Sequence, residues 1–311
     1  MTLISIVAPL YNEAENLRPL YERIKKVFEN TEYEFEFIPV ESGSVDRSLE
    51  IARQLHAEDP RVKVLSLSRD FGHQVSLSAG VDHARGVAVI LMDCDLQHPP
   101  EIIPRLLEKW REGYPSVYTV RKIDGRMPVL QRYFSALFYR IFSFLTKLDL
   151  PANSADFRLL DRKVVLELRK MPERNRFLRG LIYWTGFKSA AVEYREDPRH
   201  AGERKYHFTK RLFLAVDAIT SFSTVPLYIG VIIGTGFAFF GFAYFIYVLY
   251  VIFILHVSVP GWASLISLLA ILGGILLMVM GLVGIYVGKI FEEVKGRPLY
   301  LVNEIKGFER C

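Results

Sequence analysis

Short apolar runs alternate with amphipathic segments over the first 120 residues of the chain. The apolar runs predict strands at residues 3–10, 35–40, 62–67, 87–92 and 114–120. The segments between them have helical spacing and predict helices at residues 13–28, 44–56, 73–84 and 101–112. Ser44 is the expected N-cap of the second helix. This alternation predicts an α/β fold with a mostly parallel sheet and right-handed crossovers.

The pattern changes after residue 125. Residues 130–148 have helical length, are rich in Phe and Tyr, and carry Arg132, Arg140 and Lys147 as their only charges. This composition is typical of an amphipathic helix at a membrane interface, although a core helix is an equally good interpretation. Residues 199–211 form a second basic, aromatic stretch, and residues 218–288 contain no Asp, Glu, Lys or Arg.

The uncharged stretch predicts a transmembrane hairpin. Pro260-Gly261 indicates a turn, and residues 226–255 and 262–287 are each long enough to cross about 30 Å of hydrocarbon. The connecting loop contains no Lys or Arg. Basic residues instead flank the pair: Lys205, Lys210 and Arg211 before it, and Lys289, Lys295 and Arg297 after it. The positive-inside rule therefore predicts that both termini are cytoplasmic.

Composition narrows the choice of partners. The net charge of +5, from 39 basic and 34 acidic residues, fits a surface near anionic lipid or phosphate better than a nucleic-acid-binding protein. The two cysteines, Cys94 and Cys311, form no disulfide framework, and we expect Cys94 to be a small buried apolar residue. The first seven residues predict a strand rather than a secretory signal.

Polar residues follow three of the predicted strands. They are Tyr11-Asn12-Glu13, Glu41-Ser42-Gly43-Ser44 and Asp93-Cys94-Asp95. Because ligands of such sheets bind outside the carboxyl ends of the strands, we expect the three groups to converge. The paired carboxylates of Asp93 and Asp95 predict a site for Mg²⁺ or Mn²⁺, and such a metal commonly holds a diphosphate.

Four stretches together resemble family 2 glycosyltransferases of the GT-A fold. They are residues 8–13 (APLYNE), 42–48 (SGSVDRS), 93–100 (DCDLQHPP) and 156–162 (DFRLLDR). The resemblance is closer to the polyprenyl-phosphate glycosyltransferases, which include dolichol-phosphate mannose synthases and bacterial enzymes that glucosylate undecaprenyl phosphate. It implies a Rossmann-like sheet with amphipathic interface helices and the two-helix hairpin.

The resemblance also implies a division of the chain. A nucleotide-sugar-binding core would occupy residues 1–125, and an acceptor-side region residues 126–215. The transmembrane hairpin would occupy residues 216–290, followed by a cytoplasmic tail at 291–311. The enzyme would be an integral protein of the bacterial inner membrane with its catalytic domain in the cytoplasm.

The resemblance further implies roles for individual residues. Those implied to contact the nucleotide are Pro9, Tyr11, Glu13, Ser42 and Asp93. Asp95 would bind the metal with Gln97 nearby, and Asp156 would act close to the reacting sugar, the alternative for Asp156 being a helix or loop cap. Ser42 departs from the family pattern, which usually has an Asp that recognises the base. A serine hydroxyl is a weaker acceptor than a carboxylate, so base recognition is left open, with Glu41 as one compensating group.

The expected reaction is metal-dependent transfer, with inversion, of glucose from UDP-glucose to undecaprenyl phosphate. The basic residues expected to hold the acceptor phosphate are Arg121, Arg126, Arg132 and Lys205, although each could instead simply meet lipid headgroups. Alternatives are a GDP-mannose or UDP-amino-sugar donor and an inactive membrane scaffold. Two spans and the absence of Gln-x-x-Arg-Trp disfavour a processive polysaccharide synthase. Expected partners are further copies of the chain, a flippase and a periplasmic glycosyltransferase.

Overall fold

The computed structural model describes residues 2–122, 140, 143, 145, 151, 154–174, 176–195, 220, 223–254 and 261–308. The chain divides into two compact units, Met1–Phe208 with Arg297–Cys311, and Thr209–Gly296. Of the predicted interfacial helix 130–148, the structure describes Arg140, Ser143 and Leu145, which are helical. The basic stretch 199–211 and the loop 256–260 lie outside the described residues.

The first unit is built on one eight-stranded sheet in its described part. Its strands are Thr2–Leu10 (β1), Tyr33–Glu41 (β2), Val64–Leu67 (β3), Ala88–Leu91 (β4), Ser116–Arg121 (β5), Ser154–Asp161 (β6), Ser189–Tyr194 (β7) and Val302–Lys306 (β8). Their spatial order is β7-β5-β6-β4-β1-β2-β3-β8. β1, β2, β3 and β4 are buried along most of their length, as expected for strands covered on both faces.

Helices cover this sheet. They are Ala14–Phe28 (α1), Ser48–Glu58 (α2), His73–His83 (α3), Ile103–Arg111 (α4, after a 3₁₀ turn at Pro100–Ile102), Arg162–Lys170 (α5) and Leu178–Trp184 (α6). α1 contributes Leu17, Leu20 and Ile24 to the core, in agreement with its predicted apolar face. The predicted strands and helices of the first 120 residues are thus all present, with shifted ends.

The helix-capping role predicted for Ser44 is wrong. α2 begins at Ser48, four residues later, and Ser44 belongs to the loop after β2. The reason is that other hydrogen bonds engage this serine in place of the helix N-terminus. Its hydroxyl accepts the Asn12 backbone N–H at 3.1 Å, and its own N–H donates to the Glu41 carboxylate. Tertiary hydrogen bonds therefore override the local capping preference of this residue.

The sheet is mixed rather than uniformly parallel. β3, β2, β1 and β4 form the predicted parallel block. β6 enters antiparallel between β4 and β5, and β8 pairs antiparallel with β3. β8 comes from the predicted C-terminal tail, which is tied to the sheet through the Ser68 N–H to Leu301 carbonyl bond of 2.9 Å and the Arg53–Glu304 ion pair.

The second unit contains two long apolar helices, Val225–Phe253 (α7) and Trp262–Val294 (α8). Val225–Val251, with a mean hydropathy of 2.0, and Ile271–Val294, at 2.3, are long and apolar enough to cross a membrane. The Tyr286 hydroxyl donates to the Ser223 carbonyl at 2.5 Å. A Cβ added at Gly230 would lie 3.5 Å from the Val279 side chain, so the two helices are in contact at this glycine.

A buried glutamate joins the parallel strands. Glu36 on β2 is 1% exposed, and its Oε1 accepts the Ser5 hydroxyl of β1 at 2.5 Å and the Arg85 N–H at 2.7 Å. Its Oε2 forms an ion pair with Lys63. Although burial raises the pKa of a carboxyl, the bonds from Lys63, Ser5 and Arg85 hold the pKa of Glu36 below its usual value.

Replacing this carboxylate is expected to weaken the fold. Glu36→Gln leaves Lys63 without its counter-charge and should cost about 2–4 kcal/mol, which lowers the melting temperature of the detergent-purified protein by about 5–10 °C. Glu34→Gln is the matched control, because Glu34 lies on the same strand and is exposed. Equal melting temperatures for the two variants would contradict the role given to Glu36.

The same interaction predicts a pH dependence. The pKa of Glu36 is lower in the folded protein than in the unfolded chain, so its stabilisation is present above the unfolded value of about 4.3 and is lost as the pH falls. The difference in melting temperature between wild type and Glu36→Gln should therefore stay nearly constant from pH 7 to about pH 5 and shrink as the pH is lowered from about 5 toward 3. A difference that stays constant down to about pH 3 would refute the assignment.

Candidate active site

The loops after β1 and β2 are locked together at the carboxyl edge of the sheet. Asn12 has a φ of +54°, and its side-chain oxygen accepts the Val45 N–H at 2.9 Å. The Glu13 N–H donates to the Ser48 hydroxyl at 3.0 Å. A non-glycine residue held at positive φ stores conformational strain, and such strain is concentrated at functional sites. These bonds give the rim of the site a fixed shape before any ligand binds.

Glu41 and Ser42 lie beneath this rim. Both are 2% exposed. The Glu41 carboxylate accepts the Ser44 N–H at 2.5 Å and the Ser66 hydroxyl at 2.7 Å, while the Ser42 hydroxyl lies 2.5 Å from that of Ser76. Glu41 thus uses both carboxylate oxygens to hold the loop after β2. Its role as the compensating group in base recognition stays a prediction. The nucleotide contact of Ser42 stays a prediction.

Asp93 and Asp95 follow β4 at the same edge. The Asp93 Oδ1 lies 2.7 Å from the His73 Nε2, and the Asp93 N–H donates to the His98 Nδ1 at 3.0 Å. The Asp95 Oδ1 accepts the Gln97 N–H at 3.2 Å, which closes a turn in which Leu96 has a φ of +62°. The two carboxylates are therefore separately held, Asp93 by a histidine and Asp95 by the backbone of its own turn.

Cys94 between them is buried, as the sequence predicts. It is 2% exposed, and its side chain belongs to the hydrophobic core. Burial, reinforced by the nearby carboxylates of Glu13, Asp93 and Asp95, raises the pKa of the Cys94 thiol well above its usual value. A buried, protonated thiol is a poor nucleophile and metal ligand, so Cys94 has a packing role.

Strand pairing brings Asp156 to Asp93. β4 and β6 are antiparallel, and their pairing ends with Leu91 opposite Arg158, so the chain after β4 and the start of β6 lie at the same end of the pair. Asp93 lies close enough to Asp156 there for its charge to raise the pKa of Asp156. The Asp156 Oδ1 accepts from the Arg179 Nη2 at 3.0 Å and Nε at 3.2 Å, and the Arg158 Nη2 lies 3.8 Å away. The alternative of a capping role belongs instead to Asp161, which accepts the Lys163 N–H at the start of α5.

The charges of this cluster act on one another. Burial lowers the pKa of a histidine, but Asp93 and Asp156 overcome it and raise the pKa of His73 to about 9. Burial raises the pKa of Asp93, whereas His98, His73 and Arg179 lower it, and the net effect holds it well below its usual value. For Asp156 the effect of burial is likewise outweighed, by Arg179, Arg158 and His73. Both carboxylates are therefore ionised at neutral pH.

The residues present fit a divalent cation that is bound partly by the protein and partly by the phosphates of a substrate. The described residues contain no group of three or more His, Cys, Asp or Glu side chains able to hold a metal alone. Mg²⁺ usually binds one or two carboxylates together with substrate phosphates and water, and it needs no such cage. Asp95, which is partly exposed beside Gln97, has the donor chemistry for that arrangement.

The other predicted site residues lie at different depths. Pro9 is the next-to-last residue of β1 and is half-buried, Tyr11 is 38% exposed at the rim, and Glu13 precedes α1. Arg121 is exposed at the carboxyl end of β5. Arg126, Arg132 and Lys205 lie outside the described residues.

Sequence reasoning missed four residues of the cluster. They are His73, His98, Arg158 as part of the site, and Arg179. His73 begins α3 after the loop that follows β3, and His98 lies in the loop after β4. Both could have been found as polar residues on the carboxyl side of these strands. Arg179 is separated from Asp156 by 23 positions and a helix, and no local pattern links the two.

Comparison with known proteins shows which family the sequence of this chain matches. The sequence model of glycosyl transferase family 2 matches residues 5–169. YkcC, an uncharacterized glycosyltransferase of Bacillus subtilis, is 44% identical over 305 residues, which are 98% of this chain and 94% of that protein. The bactoprenol glucosyl transferase of Shigella phage SfX is 38% identical over 306 residues, 97% of this chain and 99% of that protein.

Solved structures are more distantly similar to this chain. The glucosyl-3-phosphoglycerate synthase of Mycobacterium tuberculosis, in complex with Mn²⁺, UDP-glucose and phosphoglyceric acid, is 17% identical with a TM-score of 0.48. The similar region covers 70% of this chain and 78% of that one.

The pairing of His73 with Asp93 can be tested by titration. In Asp93→Asn the histidine loses its nearest negative charge, so its pKa should fall from about 9 toward the ordinary value of about 6.5. The measurement is ¹⁵N NMR of histidine-labelled, metal-free protein, with His73→Gln used to assign the signal. Asp70→Asn is the control, since Asp70 accepts the Gly72 N–H of the same loop. A His73 pKa that is the same in Asp93→Asn and wild type would contradict the pairing.

Proposed function

The chain belongs to glycosyl transferase family 2, and we propose that it transfers glucose from UDP-glucose to undecaprenyl phosphate with inversion at the anomeric carbon. The observation that carries the proposal is the 38% identity to a bactoprenol glucosyl transferase over 97% of the chain, which includes both apolar helices. A cluster of ionised carboxylates and cations at the carboxyl edge of the sheet supports it, because both substrates are phosphates.

The acceptor needs little activation. A lipid phosphate has a second pKa near 6 and is largely dianionic at neutral pH, so its oxygen can attack the sugar without a strong base. Asp156 is itself a weak base, because Arg179 and Arg158 hold its pKa below the usual value against the effect of burial. This agrees with a reaction that needs no strong base. The enzyme's work is to position two anionic substrates and to balance their charge.

On the donor side, Pro9, Tyr11 and Glu13 would border the nucleotide, with Ser42 beneath the rim and Asp93 on the ribose or diphosphate side. Mg²⁺ or Mn²⁺ bound by Asp95, with Gln97 nearby, would offset the negative charge of the departing nucleoside diphosphate. The turn that fixes Asp95 and the His73 contact that fixes Asp93 keep the two carboxylates in place.

On the acceptor side, α7 and α8 would anchor the chain in the lipid that contains the polyprenyl tail. The basic residues proposed to hold the lipid phosphate at the membrane surface are Arg121, Arg126, Arg132 and Lys205. The distribution of Lys and Arg around the uncharged stretch supports a cytoplasmic catalytic unit. A flippase and a periplasmic glycosyltransferase would then act on the glucosylated lipid.

The donor is the least constrained part of the proposal. Ser42 replaces the acidic residue common in the family, and Glu41 is engaged by Ser44 and Ser66. GDP-mannose and UDP-amino sugars are therefore the donors to test beside UDP-glucose. Purified full-length protein is given undecaprenyl phosphate, Mg²⁺ or Mn²⁺ and each donor in turn, and the lipid products are analysed by mass spectrometry. Absence of any glycosylated lipid would refute the enzyme and favour a membrane scaffold.

Asp95 is expected to be essential in this assay. Asp95→Asn keeps the size of the side chain but removes the charge that binds the metal, so the rate of sugar transfer should fall by at least about 100-fold. Asp70→Asn is the matched control, since it makes the same chemical change in the loop after β3 and should keep most of the activity. Similar rates for Asp95→Asn and Asp70→Asn would contradict the role of Asp95.

The stereochemistry of the product tests the direct displacement. Attack by the lipid phosphate on an α-linked donor is expected to give a β-linked sugar phosphate, because one displacement inverts the anomeric carbon. The coupling constant of the anomeric proton in the purified lipid product measures this. An α-linked product would rule out a single displacement.

A further inference from the structure

Arg158 is a buried cation with incomplete hydrogen bonding. It lies on β6 two residues after Asp156, on the same face of the strand, and is 1% exposed. Its Nη2 donates to the Ala155 carbonyl at 2.9 Å, and its Nη1 has no hydrogen-bond partner within the described part of the chain. A buried guanidinium is costly unless negative charge lies close to it.

Two arginines, Arg158 and Arg179, approach the carboxylate of Asp156. The Arg158 Nη2 lies 3.8 Å from the Asp156 Oδ1, too far for a direct hydrogen bond. The same oxygen accepts two N–H groups of Arg179. Asp93, which lies close enough to Asp156 to act on its pKa, is paired with His73. Asp156 therefore holds the Arg179 guanidinium from one side and also feels the buried charge of Arg158. A guanidinium held in this way presents planar donors that match the geometry of a phosphate.

Only one of these arginines can reach a ligand. The side chain of Arg179 is 19% exposed and that of Asp156 is 21% exposed, whereas Arg158 is closed off by the strand and its neighbours. Arg179 stands at the start of α6, where the Leu178 N–H donates to the Gln74 side chain at 3.0 Å. Gln74 follows His73 on α3, so α6 is fixed to the helix that also supplies the partner of Asp93.

We infer that Arg179 binds a phosphate group of one of the two substrates, and that Asp156 and Arg158 hold its guanidinium in position. The inference rests on the proposed function, which supplies the two phosphates: the diphosphate of the nucleotide sugar and the phosphate of the lipid. A guanidinium anchored on one side by a carboxylate keeps its orientation and loses little freedom when it binds an anion. Asp156 is then a positioning residue and not a proton acceptor.

Arg179→Gln tests the contact, with the full-length protein in detergent. UDP binding with Mn²⁺ is measured by calorimetry, and the KM for undecaprenyl phosphate is measured with saturating donor. One of the two affinities should weaken by about 10- to 100-fold, the usual effect of losing a charged hydrogen-bond partner. A weaker UDP affinity assigns Arg179 to the donor diphosphate, and a higher lipid KM assigns it to the acceptor. Unchanged values for both, or a fall in kcat alone, overturn the inference.

Two further variants separate binding from folding. Arg179→Lys keeps the positive charge beside Asp156 and should recover part of the lost affinity, since lysine lacks only the planar pair of donors. If Arg179→Gln fails to fold, as judged by its melting temperature, Arg179→Lys carries the test, with at least a several-fold loss in the same affinity expected and wild-type values counting against the contact. Arg111→Gln, which breaks the exposed ion pair with Glu32, is the control and should leave both affinities unchanged.

The positioning role of Asp156 predicts non-additive effects. Asp156→Asn should weaken the same affinity as Arg179→Gln, and the double variant should be no worse than Arg179→Gln alone, because the two residues act as one unit. Fully additive losses would overturn this role. Failure of the proposed function is distinct, because the wild type would then give no glycosylated lipid with any donor. If the wild type transfers sugar and Arg179 variants bind both substrates normally, only the inference fails.

Discussion

The antiparallel pairing of β6 with β4 is the constraint on which the site depends. β4 ends the parallel block, and β6 returns beside it with Leu91 opposite Arg158. This register brings Asp156 near Asp93, which follows β4, and Arg158 is buried on the same face of β6 as Asp156. A slip of one residue would turn Asp156 to the other face and leave Arg158 exposed. A single strand pairing therefore positions Asp156 and the buried charge of Arg158 relative to Asp93.

The parallel block contributes a rigid rim to this arrangement. Its loops bind one another through side chains, as Asn12 does with Val45 and Glu41 with Ser44 and Ser66. Asn12, after β1, and Leu96, after β4, are both held at positive φ. Because the polar groups of the rim are already satisfied by the protein, little reorganisation is needed when a nucleotide arrives.

Local sequence patterns predict the parallel block well, since the strands are apolar runs and their ends carry Tyr11, Glu13, Asp93 and Asp95. These patterns fail where the position of a residue is determined by a hydrogen bond or ion pair to a residue far away in the chain. Ser44 has the composition of a helix cap, yet it is engaged by Asn12, which lies 32 positions away in the chain.

The missed parts of the sheet and site share this cause. β8 comes from beyond the apolar helices and joins an edge strand over 200 residues earlier in the chain. Arg179 lies past the residues matched by the family's sequence model, so neither motif nor spacing could place it beside Asp156. The residues predicted to bind the metal, Asp95 and Gln97, are local to one turn and could be named from the sequence. The residues that balance charge come from other strands and helices and could not.

The central claim is that the carboxyl edge of β4 binds a nucleoside diphosphate through a metal on Asp95. A cryo-electron microscopy or crystal structure of the full chain with UDP and Mn²⁺ tests it most directly. The account predicts manganese bound to the Asp95 carboxylate at about 2.1 Å, the diphosphate beside it, and the base on the Tyr11 side of the rim. Manganese bound at a different set of residues, or UDP bound away from the carboxyl ends of β1 and β4, would contradict the account.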